Sequence, residues 1–358
     1  MAVGITPLER SALAAIALLT ALAGIADYGT WAAVPRFGVA TLALAGLAWV
    51  VSFATEQLGE RFGPGVTGMM QSTLGNLPEL FVVIFALQKG ELIVAQTAIV
   101  GSILANALLV LGLVIVVGAR RSDDGLMRFS KRLPRDTATL LQVTVFILVL
   151  LGLSLGAHDP ASHHVKAISA VGAVCLLVVY MAWVVPYLRA DGKPESPPEQ
   201  SEVRTLRLSL GFTLALLIVA GTASAFVSDW FVNALSPAIV QLHISQAFAG
   251  LVIVAIAGNA VENTAGLVLA WKGRSDLAIS VVKNSVAQIA AFLFPVLVLI
   301  SFMLATTLTF ALAPVLIGAL ALTALALWQV TGDGEAAEFE GWSLVALYVI
   351  LATLTLYE

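Results

Sequence analysis

Apolar residues run along this chain in long blocks, without the period-two alternation of strands, and short polar breaks separate the blocks. A helix needs about 20 mostly apolar residues to cross a bilayer. That ruler predicts eleven spans, near 11–28, 36–56, 64–88, 91–118, 136–157, 164–189, 206–228, 244–271, 276–303, 306–328 and 341–357. The breaks fall at Pro35, Gly63-Pro64-Gly65, Lys89-Gly90-Glu91, Asp159-Pro160 and Lys272-Gly273-Arg274. The stretch 228–243 is ambiguous, with a short re-entrant or interfacial segment as its reading. Strands of a membrane barrel would alternate polar and apolar residues, and these blocks do not.

Composition agrees. Of the 358 residues, 59% are hydrophobic and 11% charged, against about 25% charged in a soluble domain. The mean hydropathy is +0.98. A soluble core of this size could not hide so much apolar surface, so the solvent is lipid. The net charge of -4 carries no nucleic-acid patch, and the lone Cys175 excludes an internal disulfide and a Cys-rich metal site. Glu9 and Arg10 precede an apolar run with no clear small-residue cleavage site, so no cleavable signal peptide is expected.

Basic residues orient the chain. With the N-terminus inside, fourteen Lys and Arg fall in inner loops, including Arg61, Arg120 to Arg135, Lys272 and Arg274, whereas three, Arg36, Lys89 and Lys166, fall outside. The basic run from Arg120 to Arg135 reads as a topology anchor that touches anionic lipid. Eleven spans then place the C-terminus outside. The longest hydrophilic stretch, Ala190 to Arg207, is rich in Pro, Ser and Glu and reads as a flexible linker. The organisation is therefore an extra N-terminal transmembrane helix at 1–30, a first five-helix repeat at 31–189, a cytoplasmic linker at 190–205 and a second five-helix repeat at 206–358.

The halves share a polar pattern. Gly75-Asn76-Leu77-Pro78-Glu79, Lys89-Gly90 and Gly101-Ser102 in the first match Gly258-Asn259-Ala260-Val261-Glu262, Lys272-Gly273 and Asn284-Ser285 in the second. In each half the Lys lies ten residues after the Glu and the Ser twenty-three after it. Five spans is an odd number, so the two repeats sit with opposite topology, a plan that puts a transporter's site at mid-membrane between repeats. The fold expected is an all-α polytopic membrane protein of about eleven transmembrane helices, with two inverted five-helix repeats plus one N-terminal helix.

Glu79 and Glu262 are the carboxylates read as lying deep inside spans. A charge at the bilayer centre costs about 2.5–3.5 kcal/mol on insertion scales. Two facing carboxylates repel, and they invite a divalent cation or protons. Asn76 with Glu79, and Asn259 with Glu262, are i,i+3 pairs read as sharing one helix face, with Ser72 one turn before Asn76. Ser102 and Asn106, then Asn284, Ser285 and Gln288, supply further hard oxygens suited to Ca²⁺. Gly75, Gly258 and Pro78 weaken the helices there, and Pro78 should free the carbonyl of Leu74. The bland alternative for any single Asn or Ser is a helix–helix hydrogen bond. Gly68, Gly101 and Gly266 read as packing contacts, and His158, His163 and His164 as part of a solvated outer loop.

At these motifs the chain resembles the cation/proton exchanger family of the cation/Ca²⁺ exchanger superfamily, over Gly63 to Gly112 and again over Ala249 to Phe302. The resemblance implies ten core spans in two inverted repeats, an additional N-terminal span, and Ca²⁺/H⁺ antiport by alternating access. It makes Glu79 and Glu262 the pair alternately Ca²⁺-bound and protonated, and makes 36–56 and 206–228 the gating spans. Three departures stand out. Leu77-Pro78 lies where the family often has Ala-Thr or Ala-Val. Asn263 replaces a frequent His. Lys283 precedes the polar run Asn284 to Gln288. A charged Lys283 facing the cavity would oppose Ca²⁺.

The metal ligands expected are thus Glu79, Glu262, Asn76, Asn259, Ser72, Ser102, Asn106, Ser285 and Gln288, with both glutamates coupling protons. No enzyme activity and no cofactor are expected. The partners are Ca²⁺ and H⁺ as transported ions and the lipid bilayer, without nucleic acid. The location expected is a bacterial inner membrane. Two other readings stay open, Na⁺/Ca²⁺ or monovalent cation/H⁺ exchange on the same fold, and a cation channel.

Overall fold

Backbone N–H and C=O groups find no water in hydrocarbon, so an apolar chain satisfies them within helices. In the computed structural model the described residues are 4–59, 61, 70, 73–130, 132–190 and 208–358. The helices are α1 (Pro7–Tyr28), α2 (Ala33–Gly59), α3 (Leu77–Gln88), α4 (Leu92–Arg121), α5 (Arg132–Ala157), α6 (Val165–Ala190) and α7 (Leu210–Leu242). They continue with α8 (Gln246–Gly258), α9 (Ala260–Trp271), α10 (Ser275–Ser301), α11 (Pro314–Thr331) and α12 (Glu338–Leu356). Among the described residues nine helices are long and apolar enough to cross a membrane, or ten when the bent pair α8 and α9 is counted as one span. The shorter apolar α3 corresponds to the second half of the span expected at 64–88. Most of that span's first half, with Gly63-Pro64-Gly65, Gly68 and Ser72, lies outside the described residues, as does most of the linker.

Local signals account for several boundaries. Thr6 and Glu9 form a reciprocal capping box ahead of α1, with Pro7 as its first residue. Gly90 and Gly273, at φ 82° and 73°, occupy the left-handed region where the two Lys-Gly breaks turn. Asp159 caps the 3-10 turn Pro160–His164 by accepting from Ala161 N. The Ser154 hydroxyl, 2.5 Å away, holds its carboxyl below the ordinary aspartate range. A depressed folded value contributes stability above the unfolded value and loses it as pH falls through the folded one. Asp159→Asn is therefore expected to lower thermal stability slightly at pH 7 and not at about pH 2, as a melting series across pH would read.

Two expectations need correction. The stretch 228–243 is no separate segment: it continues α7, which runs unbroken for 33 residues through Pro237. Pro is tolerated in such helices where neighbouring groups take up the freed carbonyl. The span expected to begin at 306 begins at Pro314 instead, behind a non-helical stretch in which Phe310 N donates to Ser169 Oγ at 3.1 Å.

The chain forms two compact units that interleave along the sequence. The first comprises residues 1–82 and 181–242, where α2 and α7 pack along each other and α1 lies against both. The second comprises 83–180 and 243–358. Its most buried helices are α4 and α10, and α5 turns Phe146, Leu150 and Leu153 outward as a lipid-facing row. Gly112 and Gly341 bring α4 and α12 together so closely that a Cβ on either would lie 2.6 Å from the other's carbonyl oxygen. One end of this unit is fastened by strands β1 (Leu126–Arg128) and β2 (Glu335–Ala337), paired antiparallel with Met127 opposite Ala336. Arg128 pairs there with Asp124 at 2.6 Å, and Arg120 with Glu338 at 2.7 Å. Part of the basic run thus holds protein carboxylates.

Candidate cation site

Within the first unit the helix restarts at the motif. Asn76 occupies a turn, Leu77 opens α3, and Glu79 sits in its first turn. Pro78 is the second residue of α3, a position whose N–H has no intrahelical use, so the proline fits the helix start. The Asn76 carbonyl accepts from Leu80 N at 2.9 Å. Ser228 on α7 directs its hydroxyl to the carbonyl of Pro78, 3.4 Å away. Asn76 and Glu79 are buried, the glutamate to 1% exposure.

The second unit repeats this arrangement. Asn259 ends α8 and precedes α9, with φ -104° and ψ 13°, outside the helical region. The two helix axes differ by 57° across this break. Glu262 falls in the first turn of α9, as Glu79 does in α3; its side chain lies outside the described residues. The i,i+3 pairs therefore do not share the face of one continuous helix. Each Asn stands at a restart, and each Glu follows among the unsatisfied N–H groups of a first turn, where the helix dipole favours negative charge by about 0.3–1 kcal/mol.

Around Asn259 the second unit gathers four of the expected residues. Asn259 Nδ2 donates to Ser102 Oγ at 2.9 Å and to the carbonyl of Ala255 at 2.9 Å. Asn106 Nδ2 lies 3.2 Å from Asn259 Oδ1, 3.3 Å from Ser285 Oγ and 3.0 Å from the Ser102 carbonyl. All four side chains are buried, and Gln288 is buried one turn beyond Ser285 on α10. Asn106 Oδ1 is buried without a hydrogen-bond partner among the described residues, as are Asn263 Oδ1 and Asn284 Oδ1. A buried amide oxygen lacking a donor is costly, and it is the kind of hard ligand a Ca²⁺-sized cation takes. Asn263, noted in the sequence only for the histidine it replaces, enters the candidate set on this ground.

Two local features build the cluster. Asn106 lies in a π-turn, Ala105–Val110, and a matching π-turn, Ile289–Leu293, follows Gln288 on α10. Such bulges inside helices are frequent at functional sites. Gly101 and Gly250 let α4 and α8 touch through backbone, since a Cβ on Gly101 would lie 2.5 Å from Leu251 Cα and one on Gly250 2.0 Å from Thr97 Oγ1. Gly266 likewise meets Val282 at 3.0 Å.

Lys283 leaves α10 on another side. Two residues along a helix turn through about 200°, so it and Ser285 point oppositely. Its fully buried amine donates to Thr331 Oγ1, 3.1 Å away on the last residue of α11. The amine is thus held at α11 rather than aimed at the Ser285 cluster. Lys283→Met, which keeps the volume and removes the polar head, is expected to change stability by less than about 1 kcal/mol, whereas Thr331→Val strands the amine at a cost of about 1–3 kcal/mol. Paired thermal melts in detergent would read the difference, and equal losses would contradict it.

A carboxylate near the middle of a span escaped the sequence reading. Asp229 is the twentieth residue of the 33-residue α7, and Asn233 Nδ2 donates to it at 3.4 Å. Splitting that helix at 228 had placed it beyond a span end.

Relatives agree with this architecture. The chain is 31% identical over 338 residues to the vacuolar calcium ion transporter of Schizosaccharomyces pombe, covering 93% of this chain and 82% of that one. It is 28% identical over 336 residues to the Ca²⁺/H⁺ antiporter of Aphanothece halophytica, covering 90% of each. The solved structure of native YfkE superposes with a TM-score of 0.80 at 25% identity, covering 97% of this chain and 100% of that one. The pattern of the sodium/calcium exchanger protein family matches residues 33–187 and again 212–357, and each match contains one Asn–Glu restart. With its apolar helices, its two polar restarts and these matches over most of its length, the chain belongs to the sodium/calcium exchanger protein family of integral membrane transporters.

Proposed function

We propose that this protein is a secondary antiporter that exchanges Ca²⁺ for H⁺ by alternating access, with Glu79 and Glu262 as the groups that bind either ion. The observation that carries the reading is the repeated restart: Asn76 and Asn259 are both buried, and Glu79 and Glu262 each fall in the first turn of the helix that follows. Relatives named as Ca²⁺/H⁺ antiporters match across 90% of the chain. A buried carboxylate binds a proton or a cation, and an occupied oxygen cannot serve both. Mutual exclusion at shared oxygens is what makes the flow of one ion drive the other. Asn76, Asn259, Ser102, Asn106, Ser285, Gln288 and Ser72 would supply neutral oxygens around the pair, with Asn106 Oδ1 already lacking a donor. Ca²⁺ takes six to eight such ligands.

The N-terminus lies in the cytoplasm of a bacterium and the protein in its inner membrane, with the fourteen basic loop residues on the cytoplasmic face. The two repeats are inverted, and α2 and α7 move past the site. The test is Ca²⁺ uptake into inside-out vesicles under an imposed pH gradient, acid inside. Uptake that a protonophore collapses supports coupled exchange. Uptake unchanged by the protonophore and driven by the Ca²⁺ gradient alone would mean a channel.

A further inference from the structure

The π-turn that follows Gln288 leaves one backbone group without a helical partner. Phe294 N donates to Ile289 O, five residues back, so in this register the next N–H would serve Ala290 O. The next residue is Pro295, which has no N–H. Ala290 is fully buried, and a buried acceptor without a donor is costly. Its donor comes from another helix of the same unit. Thr144 on α5, itself fully buried, directs its hydroxyl to Ala290 O at 3.3 Å. That hydroxyl also lies 3.1 Å from the Leu140 carbonyl, which already accepts the Thr144 N–H inside α5. Seven residues earlier on both helices, Thr137 Oγ1 meets Lys283 O at 3.3 Å. Lys283 lies in α-helical backbone, so its carbonyl has a helical N–H as well. Of these two threonine contacts, it is that of Thr144 which meets a carbonyl left open by its own helix. The turn also sets direction. One residue added to a helix is about 100° of rotation at 3.6 residues per turn. Ser285, before the turn, faces Asn106 at 3.3 Å, whereas Phe294, after it, packs edge-on against Phe310.

We infer that Thr144 is a positioning residue for the cation site: it serves the carbonyl that the π-turn and Pro295 leave open, and so keeps the turn formed and Ser285 aimed at Asn106. The inference rests on the reading of the Asn106, Asn259, Ser102 and Ser285 cluster as part of that site. Thr144 acts through the backbone of α10, from a helix that supplies none of the expected ligands. Without its hydroxyl, the Ala290 carbonyl finds a donor by reverting to plain α-helix, in which it takes the Phe294 N–H four residues on. The extra residue is then lost from the turn. The segment from Ser285 to Gln288 rotates by about 100° against the rest of α10, which carries Ser285 away from Asn106.

The experiment measures half-saturating Ca²⁺ and the maximal exchange rate of the full-length protein in proteoliposomes. Thr144→Val keeps the shape and removes the donor, and it is expected to raise half-saturating Ca²⁺ about tenfold, or about 1.4 kcal/mol. Thr144→Ser keeps the hydroxyl and should restore the unaltered value. Pro295→Ala gives residue 295 an N–H for Ala290 O, so Thr144→Val combined with Pro295→Ala should return to within about twofold of the unaltered chain. Thr137→Val removes a hydroxyl from a carbonyl that has its helical donor, and should likewise stay within about twofold. Three results would overturn the inference: a double variant no better than Thr144→Val, a Thr137→Val shift as large as that of Thr144→Val, or a loss of maximal rate with half-saturation unchanged. Should Thr144→Val fail to assemble, assembly and exchange regained in the double variant support the inference, and no recovery overturns it. Protein that exchanges Na⁺ instead of Ca²⁺, yet ranks these variants in the same order for Na⁺, would support the positioning role while overturning the Ca²⁺ assignment.

Discussion

Glu79→Gln and Glu262→Gln are each expected to abolish cation-coupled proton movement while leaving the folded protein intact. Glutamine keeps the shape and one oxygen and removes the charge and the proton site. Losing one member of a buried ionic contact costs about 3–5 kcal/mol, which is roughly two to three and a half orders of magnitude in occupancy at about 1.4 kcal/mol per tenfold. The neutral oxygens of Asn106, Asn259, Ser102 and Ser285 cannot replace what is lost, because none exchanges a proton near neutral pH. Folding should survive, since a buried carboxylate is expensive in the apo protein and its amide is less so. Vesicle uptake and a detergent melt on the same preparations separate the outcomes. Full transport in both variants would remove the paired carboxylates from the mechanism.

The second large effect falls on a residue with no ion chemistry. Gly101→Val should prevent assembly of the second unit, because its Cβ would lie 2.5 Å from both Cα and O of Leu251. Backbone atoms do not yield as a side-chain tip does. Overpacking commonly costs about 1–3 kcal/mol, and here α4 and α8 must part, which also pulls Ser102 from Asn259. Gly211→Ala is the control, since a Cβ there meets nothing within 4 Å, and removing a helical glycine stabilises by about 0.4–1 kcal/mol. Monodispersity and melting temperature in detergent give the answer. A folded Gly101→Val with normal transport would mean that the close approach of α4 to α8 does not set the cluster.

Hydropathy made the helices legible because lipid leaves no other use for runs of apolar residues: the spans near 11–28 and 36–56 fall within α1 and α2, and that near 341–357 ends one residue past α12. What hydropathy could not show was where a helix stops and restarts inside one apolar block. Asn76 and Asn259 break their helices without breaking the hydrophobic run, so the Asn–Glu pairs looked like one continuous face. Pro78 carried the missing signal, being better placed at a helix start than in a helix interior. Reading 228–243 as a separate segment cut α7, which runs on through Pro237, and Asp229 was overlooked as a result. Helical angles alone would have set Lys283 opposite Ser285. The π-turns at Ala105–Val110 and Ile289–Leu293 carry no residue pattern that sets them apart from the apolar helices around them.

The central claim, that one pair of carboxylates trades Ca²⁺ for protons, is tested most directly in proteoliposomes loaded with a pH dye. Ca²⁺, Na⁺, K⁺ and Mg²⁺ are added in turn to the unaltered protein and to Glu79→Gln. The account predicts proton movement on Ca²⁺ addition alone, absent in Glu79→Gln. No proton movement with Ca²⁺, but a response to Na⁺ or K⁺, would contradict the ion assignment, and a Ca²⁺ response that survives in Glu79→Gln would contradict the site.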